Sequence, residues 1–118
     1  MNSNSTMAFV PLGNTVAITA ASSAPTGVQA EIASGKSVTF GTCQYRIINA
    51  GNVTVWLGVG ASAATAATAA AEATSGNPAA GIPLVPGAVE VFRFDEGVYF
   101  SGKASTNTTI YITPGQGL

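Results

Sequence analysis

The sequence contains no histidine, a single cysteine and few charged residues. Without histidine, neither a Ser-His-Asp triad nor a Cys-His nucleophile pair can be built in its usual form. One cysteine can form no intrachain disulfide, and it does not make a zinc ligand set with scattered carboxylates. We therefore expect Cys43 to pack as a small apolar residue, with no bound metal or other cofactor.

Charged residues make up only 8% of the 118-residue chain, against about 25% in an average soluble domain. Alanine, glycine, threonine, serine and asparagine take their place. A surface of this kind has little like-charge repulsion to resist association. This favours a subunit whose surface is largely covered by partners, and the alternative is a monomer with a neutral, threonine-rich surface.

The few charges also bear on the class of partner and on catalysis. The cations are scattered and form no basic patch for phosphates, so nucleic-acid binding is disfavoured. A glycosidase needs two carboxylates that face each other across about 5–9 Å, whereas Asp95 and Glu96 are neighbours in a turn. No calcium-loop pattern surrounds Asp95–Gly97. We expect no enzymatic activity.

No segment predicts export or insertion into a membrane. The strongest apolar runs, Val53–Val59 and Ile82–Val91, are too short or too interrupted to span a bilayer. The N-terminus lacks the basic and apolar regions of a signal peptide. We expect a protein made in a cytoplasm that neither crosses nor binds a membrane.

Short stretches of alternating apolar and polar residues predict β-strands at a spacing of about ten residues. The fold class that this favours is all-β, a single jelly-roll-like β-sandwich of about seven or eight short antiparallel strands. The segments are Thr15–Ala20, Val28–Ile32, Val38–Phe40, Cys43–Asn49, Val53–Val59, Ala88–Phe94, Val98–Phe100 and Thr109–Thr113.

The clearest pairing signal is the polar connection Asn49–Asn52, which predicts a hairpin between Cys43–Asn49 and Val53–Val59. On the second strand, Val55 and Leu57 share one face and Trp56 lies on the other. Trp56 is then either a core residue, which we favour, or an exposed anchor for an interface or a sugar.

Two segments fall outside the strand pattern. Residues 1–13 predict a flexible N-terminal arm that precedes a domain of residues 14–118. Residues 61–81 are rich in alanine, and propensity alone favours a helix there. Because no large apolar residue is present to dock such a helix, we expect an extended surface loop, with helix as the alternative.

Three stretches resemble small virion proteins of tailed bacteriophages. Arg46–Gly58 reads RIINAGNVTVWLG and Ile82–Phe92 reads IPLVPGAVEVF. The most specific stretch is the ending Ile110–Leu118, IYITPGQGL, which is similar to an LY-[IV]-TPGEG terminus with Gln116 at the usual glutamate position. The family that these residues resemble is that of capsid decoration, or cement, proteins.

The resemblance implies a structural virion protein on the outer capsid surface that stabilises the assembled shell in many copies. Its partners would be the major capsid protein and further copies of itself, as a dimer or trimer. The alternative is a head-fibre, vertex or tail module that binds a glycan or host surface. The residues that we predict at the interface are Phe9, Val10, Pro11, Leu12, Trp56, Ala66, Ala67, Ala70, Pro114 and Leu118.

Overall fold

The computed structural model describes residues 9–38 and 42–117, which contain nine strands and one helix. About half of the chain is β-strand, as the sequence predicts. The elements are β1 Val10–Pro11, β2 Val16–Ala20, β3 Val28–Gln29, β4 Thr42–Asn49, β5 Val55–Gly60, α1 Ala63–Ala69, β6 Ile82–Leu84, β7 Val89–Asp95, β8 Tyr99–Lys103 and β9 Thr108–Gln116.

The strands form two antiparallel sheets. Sheet A has the order β1-β9-β4-β7, with β2 also paired to β9, and sheet B has the order β3-β8-β5-β6. The pairs are nested along the chain: β2 pairs with β9, β3 with β8, β4 with β7 and β5 with β6. This nesting is the jelly-roll arrangement of a β-sandwich, and it confirms the predicted fold class.

The core lies between the two sheets and consists of the alternate residues of each strand. An aromatic group fills its centre, where the rings of Tyr45 and Phe100 meet edge-on with centroids 4.8 Å apart. Phe94 packs against Phe100 in the same manner at 5.9 Å. The surrounding buried side chains are Ile18, Ala20, Cys43, Ile47, Val55, Leu57, Leu84, Ile110 and Ile112.

The predicted hairpin between β4 and β5 is wrong. β4 pairs with β7 and β9 in sheet A, whereas β5 pairs with β6 and β8 in sheet B. The connection between them therefore crosses from one sheet to the other. Two alternating runs joined by a short polar segment fit a hairpin and a sheet crossing equally well, because both leave one face of each strand buried.

The side chain of Asn49 fixes this crossing. It is fully buried, and its Nδ2 donates hydrogen bonds to the carbonyls of Val53 at 2.9 Å and Leu84 at 2.8 Å. Its Oδ1 accepts from the N–H of Gly51 at 3.0 Å. The amide thus joins the end of a sheet A strand to the crossing segment and to β6 of sheet B.

The main chain of Asn49 ties in a second loop. Its N–H donates to the carbonyl of Ala88 and its carbonyl accepts from the N–H of Gly87, both at 3.0 Å. Gly87 has a φ of 78°, a left-handed conformation that glycine adopts without strain. Through these bonds, the loops before β5 and before β7 meet at one buried residue.

The expectation of an extended loop over residues 61–81 is wrong for Ala63–Ala69, which form α1. Ser62 caps the helix by accepting a hydrogen bond from the N–H of Thr65 at 3.2 Å. The helix needs no large apolar residue because Gly58 and Gly60 of β5 lack side chains. A Cβ on Gly58 would overlap the carbonyl oxygen of Ala66, so the helix backbone rests almost directly on the sheet.

The rest of the alanine-rich segment is not helical, and it contains a small bridge between Thr74 and Asn77. Across residues 9–38 and 42–117, no helix combines the length and the hydropathy that a transmembrane span requires.

The predicted flexible arm is wrong at its C-terminal end. Val10 and Pro11 pair with Gln116 and Gly115 of β9. Leu12 then donates its N–H to the carbonyl of Pro114 at 2.9 Å and accepts a hydrogen bond from Ala33 at 2.8 Å. This segment is therefore part of the sandwich, and residues 1–8 of the predicted arm lie outside the described residues.

Replacing Asn49 with alanine should lower the free energy of unfolding by about 3 kcal/mol, because the buried carbonyls of Val53 and Leu84 lose their donor. Chemical denaturation measures this change. Asn52→Ala, three residues away and exposed, is the matched control and should change stability by less than about 0.5 kcal/mol. Equal effects of the two substitutions would contradict the role of Asn49.

Replacing Gly58 with alanine should displace α1 and cost about 1–3 kcal/mol, because the new methyl group occupies the position of the helix backbone. Thermal unfolding reports the loss. Ala64→Ser, on the exposed side of the same helix, should leave the unfolding temperature almost unchanged. A Gly58→Ala protein as stable as the parent would show that the helix does not pack this closely.

Candidate docking surface

The outer face of sheet A carries a row of apolar side chains that nothing in the described chain covers. Strand register places Val89, Ile48, Tyr111 and Ala17 side by side across four strands. Val89 is 51% exposed and Tyr111 is 40% exposed. The row forms because each of these strands has an apolar residue on its outer face as well as on its core face.

A second row lies next to the first and is more polar. It places Val91 beside Arg46, and Arg46 beside Thr113. Val91 is 50% exposed, and the Thr113 hydroxyl is hydrogen-bonded to that of Thr15 at 2.6 Å. We call the two rows together the sheet A surface. Contiguous exposed apolar groups with a polar border are typical of protein interaction sites.

One end of the sheet A surface is a shallow groove of about 300 Å³. It is lined by Phe9, Pro11, Arg46 and Thr113. Arg46 is exposed, lines this groove and lies opposite Val91 in the neighbouring strand. A partner that fits here would therefore present apolar groups together with a carboxylate or carbonyl acceptor.

β7 forms the border of the sheet A surface and pairs with β4 alone among the described strands. Glu90 takes a core-facing position opposite Ile47, yet it is exposed. A charged residue at an inward-facing position of an edge strand hinders pairing with another strand. This arrangement favours docking through the face of the sheet over docking through its edge.

The structure does not support all of the interface residues predicted from sequence. Ala66 lies on the side of α1 that faces the glycines of β5, and Ala70 directly follows the helix. Both are buried, as is Pro114 of β9, so these three are not available to a partner. Their predicted exposure is wrong because α1 docks on glycines and β9 continues through Pro114.

The other predicted residues are dispersed over the molecule. Phe9 and Pro11 line the groove of the sheet A surface, whereas Val10 is exposed and Leu12 is half-buried. Trp56 is half-buried on the outer face of sheet B, and Ala67 is half-buried on α1. Leu118 lies outside the described residues.

The interface residues predicted from sequence do not include Ile48, Val89, Val91 or Tyr111. The signal was present in β4 and β7, where apolar residues occupy both faces. Ile48 is opposite in phase to Tyr45 and Ile47, and Val89 and Val91 are opposite in phase to Phe92 and Phe94. A strand with two apolar faces is either buried on both sides or exposes one apolar face.

Cys43 is 1% exposed, and its thiol donates a hydrogen bond to the carbonyl of Gly115 at 3.4 Å. Burial raises the pKa of the Cys43 thiol above its ordinary value, which disfavours the nucleophilic thiolate. The prediction that Cys43 packs as a small apolar residue is confirmed. Within the described ranges, no three histidine, cysteine, aspartate or glutamate residues are grouped so that they could hold a metal ion.

The residues that carry the resemblance to virion proteins have structural positions here. Asn49 joins the two sheets, and Gly87 donates to its carbonyl. A Cβ on Gly51 would overlap the side chain of Thr108, and one on Gly115 would overlap the carbonyl of Val10. These short motifs therefore lie at close contacts that hold the strands and loops of the sandwich together.

Comparison of the chain with protein-family models, with curated proteins and with solved structures gave no significant match. The resemblance to capsid decoration proteins accordingly remains a prediction from the short motifs.

Native Cys43 should react with an aromatic disulfide reagent more slowly than the unfolded chain by a factor on the order of 1000, because reaction requires opening of the core. The rate of colour release at neutral pH, with and without denaturant, gives this ratio. Comparable rates in the two states would show that the thiol of Cys43 is accessible in the folded protein, and would contradict its role as a core residue.

Proposed function

We propose that this protein is a structural component that docks through the sheet A surface onto an assembled protein shell, namely the capsid of a tailed bacteriophage. The observation that carries the docking proposal is the apolar row on the outer face of sheet A, in which Val89, Tyr111 and Ala17 are exposed and Ile48 is half-buried. The identity of the shell comes from the resemblance in Arg46–Leu118. Docking in many copies would decorate and stabilise the shell on its outer surface.

The sheet A surface is suited to binding a rigid partner. Its central side chains stand on β4 and β9, whose long pairing fixes their spacing. Association therefore orders few backbone segments, which keeps its entropic cost low. Tyr111 supplies a large amphipathic side chain near the centre of the surface, the kind of residue that contributes most at protein interfaces.

The low charge of the chain supports the same proposal. The outer face of sheet A carries the cations Arg46 and Arg93. Arg46 lies opposite Val91, and Arg93 lies opposite Gln44. Away from these two arginines and Asp95, this face is uncharged, and neutral groups cost less desolvation than charges when a partner covers them. Each contact can be weak, because neighbouring copies on a repetitive shell raise the effective concentration of one another.

We also propose that the protein has no enzymatic role and that copies associate with one another, as a dimer or trimer, when they bind the shell. Burial of Cys43 supports the first part. A binding protein that recognises only the assembled shell stabilises it by mass action and needs no catalytic group.

The substitution Val91→Lys should weaken binding to capsids that lack the protein by about tenfold or more, because it replaces an exposed apolar side chain with a second cation beside Arg46. Co-sedimentation with purified particles measures binding. Val85→Lys is the matched control: Val85 is 59% exposed but follows β6 of sheet B. It should bind like the parent.

Equal binding of the parent and Val91→Lys proteins would show that the sheet A surface does not contact the particle. Failure of the parent itself to bind any particle would contradict the virion proposal, whatever the substitutions do. Circular dichroism of both variants serves as a folding control, since each substitution is at an exposed position.

A further inference from the structure

A second candidate site lies on sheet B, on the opposite side of the sandwich from the sheet A surface. Trp56 stands on the outer face of β5, with Lys103 and Pro83 as its cross-strand neighbours. α1 covers this face further along the same strand, over Gly58 and Gly60, and leaves Trp56 beyond its end. Trp56 is therefore half-buried rather than a core residue.

An open groove of about 470 Å³ runs past Trp56. Several separate segments build it: the sheet crossing before β5, the chain that follows α1, the loop before β7 and the loop before β9. The lining includes Asn52, Thr54, Trp56, Glu72, Pro86 and Ser105. The volume falls within the range of about 300–1,000 Å³ that small-molecule sites occupy.

The polar side chains of this groove are not used to hold the fold. Across the described ranges, the side chains of Asn52, Thr54, Glu72 and Ser105 make no hydrogen bond with another residue. Other polar side chains nearby do the opposite: Asn49 and Ser101 are both committed to backbone carbonyls. The groove thus gathers an amide, two hydroxyls and a carboxylate beside an indole, and none of these four polar groups has a hydrogen-bond partner in the part of the chain that the structure describes.

We infer that this groove binds a neutral sugar. A pyranose ring has an apolar face that fits an indole, and a rim of hydroxyl groups that both donate and accept hydrogen bonds. Trp56 offers the apolar platform, and Asn52, Glu72 and Ser105 offer matching acceptors and donors. Glu72 places a carboxylate in the lining, whereas Lys103, the neighbour of Trp56 across the strands, is not among the lining residues. The carboxylate inside the groove disfavours sugars that carry a negative charge.

The position of the groove also bears on its use. If sheet A rests on a shell, as proposed above, sheet B and the groove face outward, where a glycan on a cell surface is accessible. This consequence rests on the proposed function, whereas sugar binding itself does not.

Trp56 is the single tryptophan of the chain, so its fluorescence reports directly on the groove. The full chain is titrated with lactose, maltose, cellobiose and, as a charged comparison, sialyllactose. We expect a saturable change in Trp56 emission with at least one neutral disaccharide and a weaker response to sialyllactose. Isothermal calorimetry on the same samples gives an independent affinity.

Asn52→Ala and Glu72→Ala should each weaken binding of the responding sugar by about tenfold, because each removes hydrogen bonds to it. Both residues are exposed, so neither substitution should lower the unfolding temperature. The matched controls are Asn107→Ala and Glu90→Ala, at exposed positions outside the groove lining, and they should bind like the parent.

Absence of a saturable response to every neutral sugar would overturn the inference. So would calorimetric binding without a change in Trp56 emission, or binding that Asn52→Ala and Glu72→Ala leave intact. The Val91→Lys protein separates this inference from the proposed function: it should keep its sugar affinity while it loses the shell.

Discussion

The buried amide of Asn49 is the constraint on which the rest of this fold depends. A primary amide without water must find hydrogen-bond partners in the protein, and those available are carbonyls of the sheet crossing and of β6. These hydrogen bonds bring the end of β4 in sheet A against sheet B. The backbone of the same residue holds the loop before β7. Closure of the jelly roll at this end thus rests on one side chain and its peptide groups.

The two outer faces of the sandwich differ because of where small residues occur. On sheet B, Gly58 and Gly60 let an alanine helix approach closely and cover part of the face, and Trp56 remains half-buried beyond it. The outer face of sheet A instead carries the large side chains of Ile48, Tyr111 and Val89, and no described element covers them. The molecule therefore presents an apolar sheet on one side and a polar groove with one indole on the other. This asymmetry separates the surface proposed to dock from the surface proposed to bind a sugar.

Alternation along the chain was enough to predict the sandwich, the strands at Val16–Ala20 and Val89–Asp95, and the burial of Cys43. These features depend on local periodicity. The choice of strand partner does not depend on local periodicity. The runs before and after Asn49 therefore resemble a hairpin in sequence, whereas in the structure the buried amide joins two different sheets. The helix Ala63–Ala69 was missed for a similar reason, since its docking depends on glycines in another element. The interface residues Ala66, Ala70 and Pro114 were then misplaced, and the exposed row of sheet A could be recognised only once register was known.

If a tailed phage carries this chain, as proposed, cryo-electron microscopy of its particles is the most direct test of docking through sheet A in many copies. Docking through sheet A predicts density for this sandwich at many symmetry-related positions, with Val89, Ile48 and Tyr111 against the shell and Trp56 facing solvent. A sandwich attached through its Trp56 side would contradict the proposed docking surface, and a shell without such density would contradict the proposed role in the virion.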